Sequence, residues 1–216
     1  MSAAGPTSAS RADRARFLRK ALRIWTKNKL ALLGSVWIVL VGLVVVLEPL
    51  LGLPDPSKID LRSTFAPPSA EHWLGTDENG RDVFARLVAG GRVSLSVGFA
   101  SAFFTVLIAS VIGVISGYLG GATDQVIMRL TDGFMAIPTF FLLLIVVSIW
   151  GSSPAILIAA LALTRWMGVA RLVRSEVLRF KEQEFVMAAR ATGASTLRLM
   201  FKHLLPQAAP SLIVAT

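Results

Sequence analysis

Cysteine is absent from the 216 residues, which excludes a disulfide framework and any thiolate-held metal. Charge is scarce as well. Asp, Glu, Lys and Arg make up 16% of the chain against 54% hydrophobic residues, a balance too apolar for an ordinary soluble domain. Three signatures of chemistry are missing: a GxxxxGK[ST] phosphate loop, an HExxH zinc helix and a GxSxG nucleophile elbow. No nucleophile and base share one depth in the chain, so no catalytic residue is assigned and the chain is expected not to be an enzyme. A cleavable leader is not indicated either. The basic N-terminal stretch runs into an apolar segment too long for a signal core, with no small-residue cleavage site after it, and reads as a retained first helix.

What is present is a series of apolar runs, and about 20 residues suffice to cross the hydrocarbon of a bilayer. Leu30 to Leu47 is uncharged and extends through Glu48 and Pro49 to about Leu53. Val93 to Thr123 is also uncharged and carries Gly98, Gly113 and Gly117, the last two at GxxxG spacing. That pair is either a close helix contact or the ordinary glycine content of membrane helices. Ile127 to Thr164 is too long for one crossing and is broken at Gly151-Ser152-Ser153-Pro154, which predicts two helices joined by a tight turn. The second of these runs from Pro154 to about Val173, with Arg165 and Arg171 snorkelling or facing protein. A fifth run starts near Leu204. Its end at Thr216, the thirteenth residue of the run and without a polar flank, reads as that of a fragment of a longer protein, the alternative being a true C-terminus lying in the interface.

The net charge of +9 invites a nucleic-acid reading, but the bases sit at the ends of the apolar runs. Residues 1–29 hold eight Lys and Arg against Asp13 alone, residues 53–92 hold five against six acids, and residues 165–203 hold eight against three. The bias places 1–29 and 165–203 in the cytoplasm and 53–92 outside, and four crossings give the same parity. By this topology His72 and His203 lie on opposite sides of the membrane and cannot share a metal. The charge is explained by membrane orientation, and no nucleic-acid partner is expected.

Within the membrane, Arg129 and Asp132 stand at i, i+3 spacing. Asp132 is either an ion or proton site or one half of an ion pair near the interface. Pro138 further along the same run removes a backbone hydrogen bond and predicts a bend. Two segments outside the main runs are more specific. Glu184 to Ala191 reads as a helix rich in small residues, Gly193 ends it at positive φ, and Ser195 caps a second short helix to about Leu204. Such a helix-turn-helix suits a groove on a soluble partner. On the other side, Gly75 to Val83 reads as a turn before an interfacial helix, with Asp77 as its cap, Glu78 at its N-terminus and Asp82 paired to Arg86. This block is either a structural lid, a contact for a binding protein, or a substrate contact.

These segments resemble a known family. Ala188, Ala189, Gly193, Leu205 and Pro206 match the EAA loop of permease subunits from bacterial ATP-binding-cassette importers, a pattern of E-A-A, three residues, G and a later L-P. Met187 stands where the first glutamate is usual, and Glu184 lies one turn earlier. His72-Trp73-Leu74-Gly75-Thr76-Asp77-Glu78-Asn79-Gly80-Arg81-Asp82-Val83 resembles the H-x-L-G-T-D-x-x-G-R-D-V block of the dipeptide, oligopeptide and nickel branch. Asn28-Lys29, Asp124 with Met128-Arg129, Asp132 and Ile137-Pro138 look like the C-type permease of that branch.

The resemblance implies an all-α, polytopic transmembrane bundle of the type I importer permease fold, with four full helices and the start of a fifth. Its segments are a basic cytoplasmic stretch 1–29, a first transmembrane helix 30–53, an extracytoplasmic segment 54–92, and a permease domain 93–216 carrying the EAA loop at 184–206. It also implies a bacterial cytoplasmic (inner) membrane location with the N-terminus cytoplasmic. The implied function is passage of di- or oligopeptides, nickel or related small solutes, driven by ATP hydrolysis elsewhere. The implied partners are a homologous permease of the B type, two ATP-binding subunits that hold the ATP and Mg, an extracytoplasmic substrate-binding protein and membrane lipid. Glu184, Met187, Ala188, Ala189, Gly193, Leu205 and Pro206 would couple to the ATPases, and Gly75, Thr76, Asp77, Gly80, Arg81 and Asp82 form the outer family block. The chain itself is expected to bind no cofactor or metal. The rival reading is a secondary transporter or channel using Arg129 and Asp132.

Overall fold

A computed structural model describes residues 25–215. The basic N-terminal segment up to residue 24 and Thr216 therefore lie outside the described residues. Among the described residues the chain is helical, with no strand and a single isolated bridge between Thr76 and Asp82. It divides into two compact units, Met1–Arg92 and Val93–Thr216.

In the first unit, α1 (Lys29–Val46) opens on Asn28, whose side chain accepts a hydrogen bond from the Ala31 N–H at 3.2 Å. Its 18 residues rise about 27 Å, close to the thickness of a hydrocarbon core. Trp37, Ile38 and Leu30 are exposed along it, as lipid-facing residues should be. The α-helix ends before the expected Leu53 because Pro49 has no N–H to continue the ladder, and a tight turn at Glu48–Leu50 follows. Glu48 is ion-paired to Arg92 at 3.2 Å, which relieves one intramembrane charge of its isolation.

A long helix, α2 (Val83–Leu119, 37 residues), begins ten residues before the expected run and ends at Gly120 and Gly121, both at positive φ. The expected extension to Thr123 fails there, since two successive left-handed residues break the helix and Thr123 belongs to the next one. In the second unit, α3 (Gly121–Met135) and α4 (Thr139–Trp150) are bent by 78° across a short break containing Pro138. Proline cannot donate to the ladder and disfavours the helical conformation at the residue before it, so the run bends at Pro138 into two segments. The break at Gly151 to Pro154 forms as expected. Gly151 has φ 87°, Ser153 caps α5 (Pro154–Phe180), and Pro154 sits in its first turn. Among the described residues three helices, α1, α2 and α5, are long and apolar enough to cross a membrane, and the α3–α4 pair makes four if it counts as one span.

The core of the second unit lies where α2 meets α5. Gly113 and Gly117 face that contact. A Cβ built on Gly113 would stand 2.6 Å from the Ala170 carbonyl oxygen and 2.7 Å from the Val173 Cβ, and one on Gly117 would stand 2.9 Å from the Arg174 carbonyl oxygen. The GxxxG pair is thus a close backbone approach. Ala109 and Val114 of α2 and Ala170, Val173 and Val177 of α5 are buried around it. The same core continues beyond α5. After α6 (Glu184–Ala191) and a short helix at Thr196–Arg198, a wide π turn at Leu199–Leu204 leads into α7 (Leu205–Ala215). Val186, Leu199, Met200 and Leu204 join the α2–α5 core.

This packing predicts that Gly113→Ala lowers the thermal midpoint of the detergent-solubilised protein, since overpacking a filled contact costs about 1–3 kcal/mol. Gly133→Ala, where a Cβ meets nothing within 4 Å, should leave the midpoint unchanged or raise it. Differential scanning fluorimetry of the two variants distinguishes them.

Candidate functional site

Residues 184–206 form a helix-turn-helix with two faces. Glu184 is the first residue of α6, and Val186 and Ala189 turn inward to the core, Val186 completely buried and Ala189 partly. Met187 is 52% exposed on the opposite face, with Phe185, Leu197 and Phe201 also exposed. Glu184, Ala188, Gly193 and Pro206 are open to solvent, whereas Leu205 packs against the core. The turn is held by two bonds, Ala194 N–H to the Ala189 carbonyl and Gly193 N–H to the Arg190 carbonyl, both 3.0 Å, with Gly193 at φ 83°. This is a Schellman closure, and the left-handed position is what glycine supplies. Ser195 then caps the following turn, its hydroxyl accepting from the Arg198 N–H at 3.4 Å. Arg190 reaches back to α2, its Nη2 3.5 Å from the Tyr118 hydroxyl and its guanidinium 5.9 Å from the ring centre. The result is an internally bonded element whose outer face carries exposed apolar side chains.

The block at Gly75 to Asp82, in the first unit, is a knot of internal bonds. The Ala66 N–H donates to the Thr76 hydroxyl at 2.8 Å, and that hydroxyl donates to the Ser63 carbonyl. Asp77 accepts from the Asn79 and Arg81 backbone N–H groups at 2.9 and 3.0 Å and from the Arg81 guanidinium at 2.9 Å, and it also pairs with Arg86. Gly75 and Gly80 have positive φ, and a Cβ on Gly80 would fall 1.7 Å from the Asp60 carbonyl oxygen. Only glycine fits these approaches.

Two expectations about this block are corrected. The helix cap is Asp82, not Asp77: the Asp82 carboxylate accepts from the Ala85 N–H at 2.7 Å, directly ahead of α2. Asp77 lies too far before the helix to reach its free N–H groups and closes the loop on itself. Asp82 does not pair with Arg86 either. Its other oxygen meets His72 Nδ1 at 2.9 Å, leaving Arg86 to Asp77.

The membrane charges are also partnered differently from their spacing. Asp132 bonds Arg171 on α5 and not Arg129, because the facing helix brings a guanidinium closer than the neighbour on its own helix. Arg129 has no ion pair among the described residues. A second pair was not anticipated. Asp124, near the start of α3, receives two hydrogen bonds of 2.5 Å from Arg174 and a third from the Ser116 hydroxyl of α2. One carboxylate thus ties α2, α3 and α5 together, in the bidentate geometry that makes such pairs strong. Asp124 stands out in the sequence through the family resemblance, and Arg174 stands three residues after Arg171 on one face of α5, but nothing in the sequence pairs the two.

A family model described as a binding-protein-dependent transport system inner membrane component matches residues 109–216, and another described as the N-terminal transmembrane domain of oligopeptide transport permease C matches residues 16–68. The chain is 37% identical to the oligopeptide transport system permease protein OppC of Bacillus subtilis, over 97% of this chain and 71% of that protein. It is 37% identical to the dipeptide permease DppC of the same organism, over 92% and 62%, and 40% identical to the nickel permease NikC of Escherichia coli, over 84% and 69%. The chain belongs to this family of C-type permeases of ABC importers. It spans about two thirds of the length of the relatives it matches. The permease is accordingly an integral membrane protein.

The Asp77 knot makes a pH prediction. Burial opposes ionisation, but the Arg81 and Asn79 N–H groups and the Arg81 guanidinium outweigh it and lower the Asp77 carboxyl from 3.8 to about 2. A depressed carboxylate stabilises the fold fully above its unfolded value and ceases to do so as pH falls through its folded one. The stability difference between the wild-type permease and Asp77→Asn should therefore hold constant down to about pH 4 and shrink toward pH 2. Urea unfolding at a series of pH values reads it.

Proposed function

We propose that this permease forms, with a homologous second permease, a path for di- or oligopeptides across the bacterial cytoplasmic membrane, and that residues 184–206 receive the push of ATP-hydrolysing partners. The observation that carries this reading is the two-faced element: Val186, Leu199, Met200 and Leu204 anchor it in the α2–α5 core, while Phe185, Met187, Ala188 and Leu197 face outward. A groove on a soluble subunit is the natural cover for an exposed apolar patch on a rigid helical pair. Met187 in place of glutamate makes that contact apolar at its centre.

The partners that fit are two ATP-binding subunits, which hold ATP and Mg, and an extracytoplasmic binding protein that delivers cargo. Lysine and arginine bias supports a cytoplasmic N-terminus and puts 184–206 on that same side, with the Gly75 to Asp82 knot outside as a rigid lid or binding-protein contact. The relatives are named for oligopeptides, dipeptides and nickel, and two of these three cargoes are peptides. A secondary transporter built on Asp132 gains nothing from the structure, because Arg171 already neutralises that carboxylate.

The test is co-purification. Ala188→Trp places bulk on an exposed position and leaves the core intact, so the variant should insert and fold while retaining under a tenth of the ATPase subunits that the wild type retains. Undiminished ATPase recovery with Ala188→Trp would contradict the docking role.

A further inference from the structure

The second unit holds a groove of about 970 Å³ between the first half of its α2 segment and α5. This is at the upper end of the range of about 300–1,000 Å³ typical of small-molecule sites. Ser94, Ser101, Thr105, Leu161 and Gly168 are among its lining residues, and Arg165 is the one charged residue there among the described residues. Among the described residues no Asp, Glu or His lines it. Arg165 lies 11 residues after the start of α5, about 16 Å along the helix, and makes no hydrogen bond or ion pair among the described residues. The Arg165 side chain is exposed, and a guanidinium without a counter-charge in a membrane-spanning helix is costly. The other intramembrane acids are already committed, Asp132 to Arg171, Asp124 to Arg174 and Glu48 to Arg92. A second polar group of the groove is buried: Thr105 is 3% exposed and its hydroxyl has no hydrogen-bond partner among the described residues.

We infer that Arg165 anchors the carboxylate of a peptide cargo in this groove. The inference rests on the peptide-importer reading and deepens it by naming the group that is recognised. A planar guanidinium offers paired donors that match a carboxylate in fork geometry. The same lining disfavours the other cargo class. A bare divalent cation meets a fixed positive charge and no carboxylate or imidazole, so it finds neither attraction nor ligands there. The α-amino end of a peptide has no acidic partner in the groove, which makes the carboxylate the end that is held. Arg165 thereby acts as a transient binding residue along the path and needs no permanent partner within its own chain.

The experiment uses the complete transporter, with its ATPases, its second permease and its binding protein, in proteoliposomes. ATP-dependent uptake of trialanine and of trialanine amide is compared for wild type, Arg165→Gln and Arg165→Lys. Loss of a charge-assisted bond should lower trialanine uptake at limiting peptide by about tenfold in Arg165→Gln. Arg165→Lys, which keeps the charge, should stay within about threefold of wild type, and uptake of the amide should change less than about twofold in either variant. Equal loss for both peptides, or none for either, overturns the carboxylate site while leaving the importer reading standing. Failure of the wild-type assembly to carry either peptide overturns the peptide-importer reading and the site with it.

Discussion

The approach of α2 to α5 at Gly113 and Gly117 is the constraint on which the second unit depends. In lipid, helices gain no hydrophobic advantage by associating, so van der Waals fit and polar bonds must hold them. The two glycines remove the side chains that would keep the backbones apart, and Val173 and Val177 fill the space they leave. Polar bonds follow from that closeness. Ser116, one residue before Gly117, reaches Asp124, and Arg174, one residue after Val173, completes the seam. Packing and electrostatics therefore act at the same level of the bundle.

The core reaches past the membrane helices. Val186, Leu199 and Leu204 are as buried as Val173 and Val177, so the proposed docking element shares side-chain contacts with the clamp. A displacement of 184–206 has a packed route to α2 and α5, since close-packed interiors transmit strain and do not absorb it. The Schellman turn at Gly193 and the Arg190–Tyr118 contact keep the element from flexing independently. At the other unit, the loop from Asp60 to Asp82 is over-determined by its own hydrogen bonds, which suits a rigid surface.

Features that depend on a few neighbouring residues were legible in the sequence. The turn at Gly151 to Pro154, the bend at Pro138, the α6 bounds, the Gly193 stop and the Ser195 cap all rest on local backbone chemistry, and each forms where its residues stand. The GxxxG pair was legible as a candidate, and only the facing helix could decide between a contact and ordinary composition. Ion pairing was not legible. Asp132 and Arg171 are 39 residues apart and Asp124 and Arg174 are 50 apart, whereas i, i+3 and i, i+4 rules see only one helix. The Asp77 cap was misplaced for the opposite reason. An aspartate before a helix is a cap only within reach of its first turn, and the turn at Gly80 lets Asp77 bond its own loop instead. The groove beside Arg165 required two helices in place before its isolation could be seen.

Amide hydrogen exchange of the intact permease in lipid nanodiscs, comparing wild type with Gly117→Ala, reads whether one core couples the α2–α5 contact to residues 184–206. With a shared core, amides from Ala170 to Val177 and from Val186 to Leu204 lose protection together in the variant. Loosening of α5 with the protection of Val186 to Leu204 unchanged would show the two to be independent and would contradict a shared core.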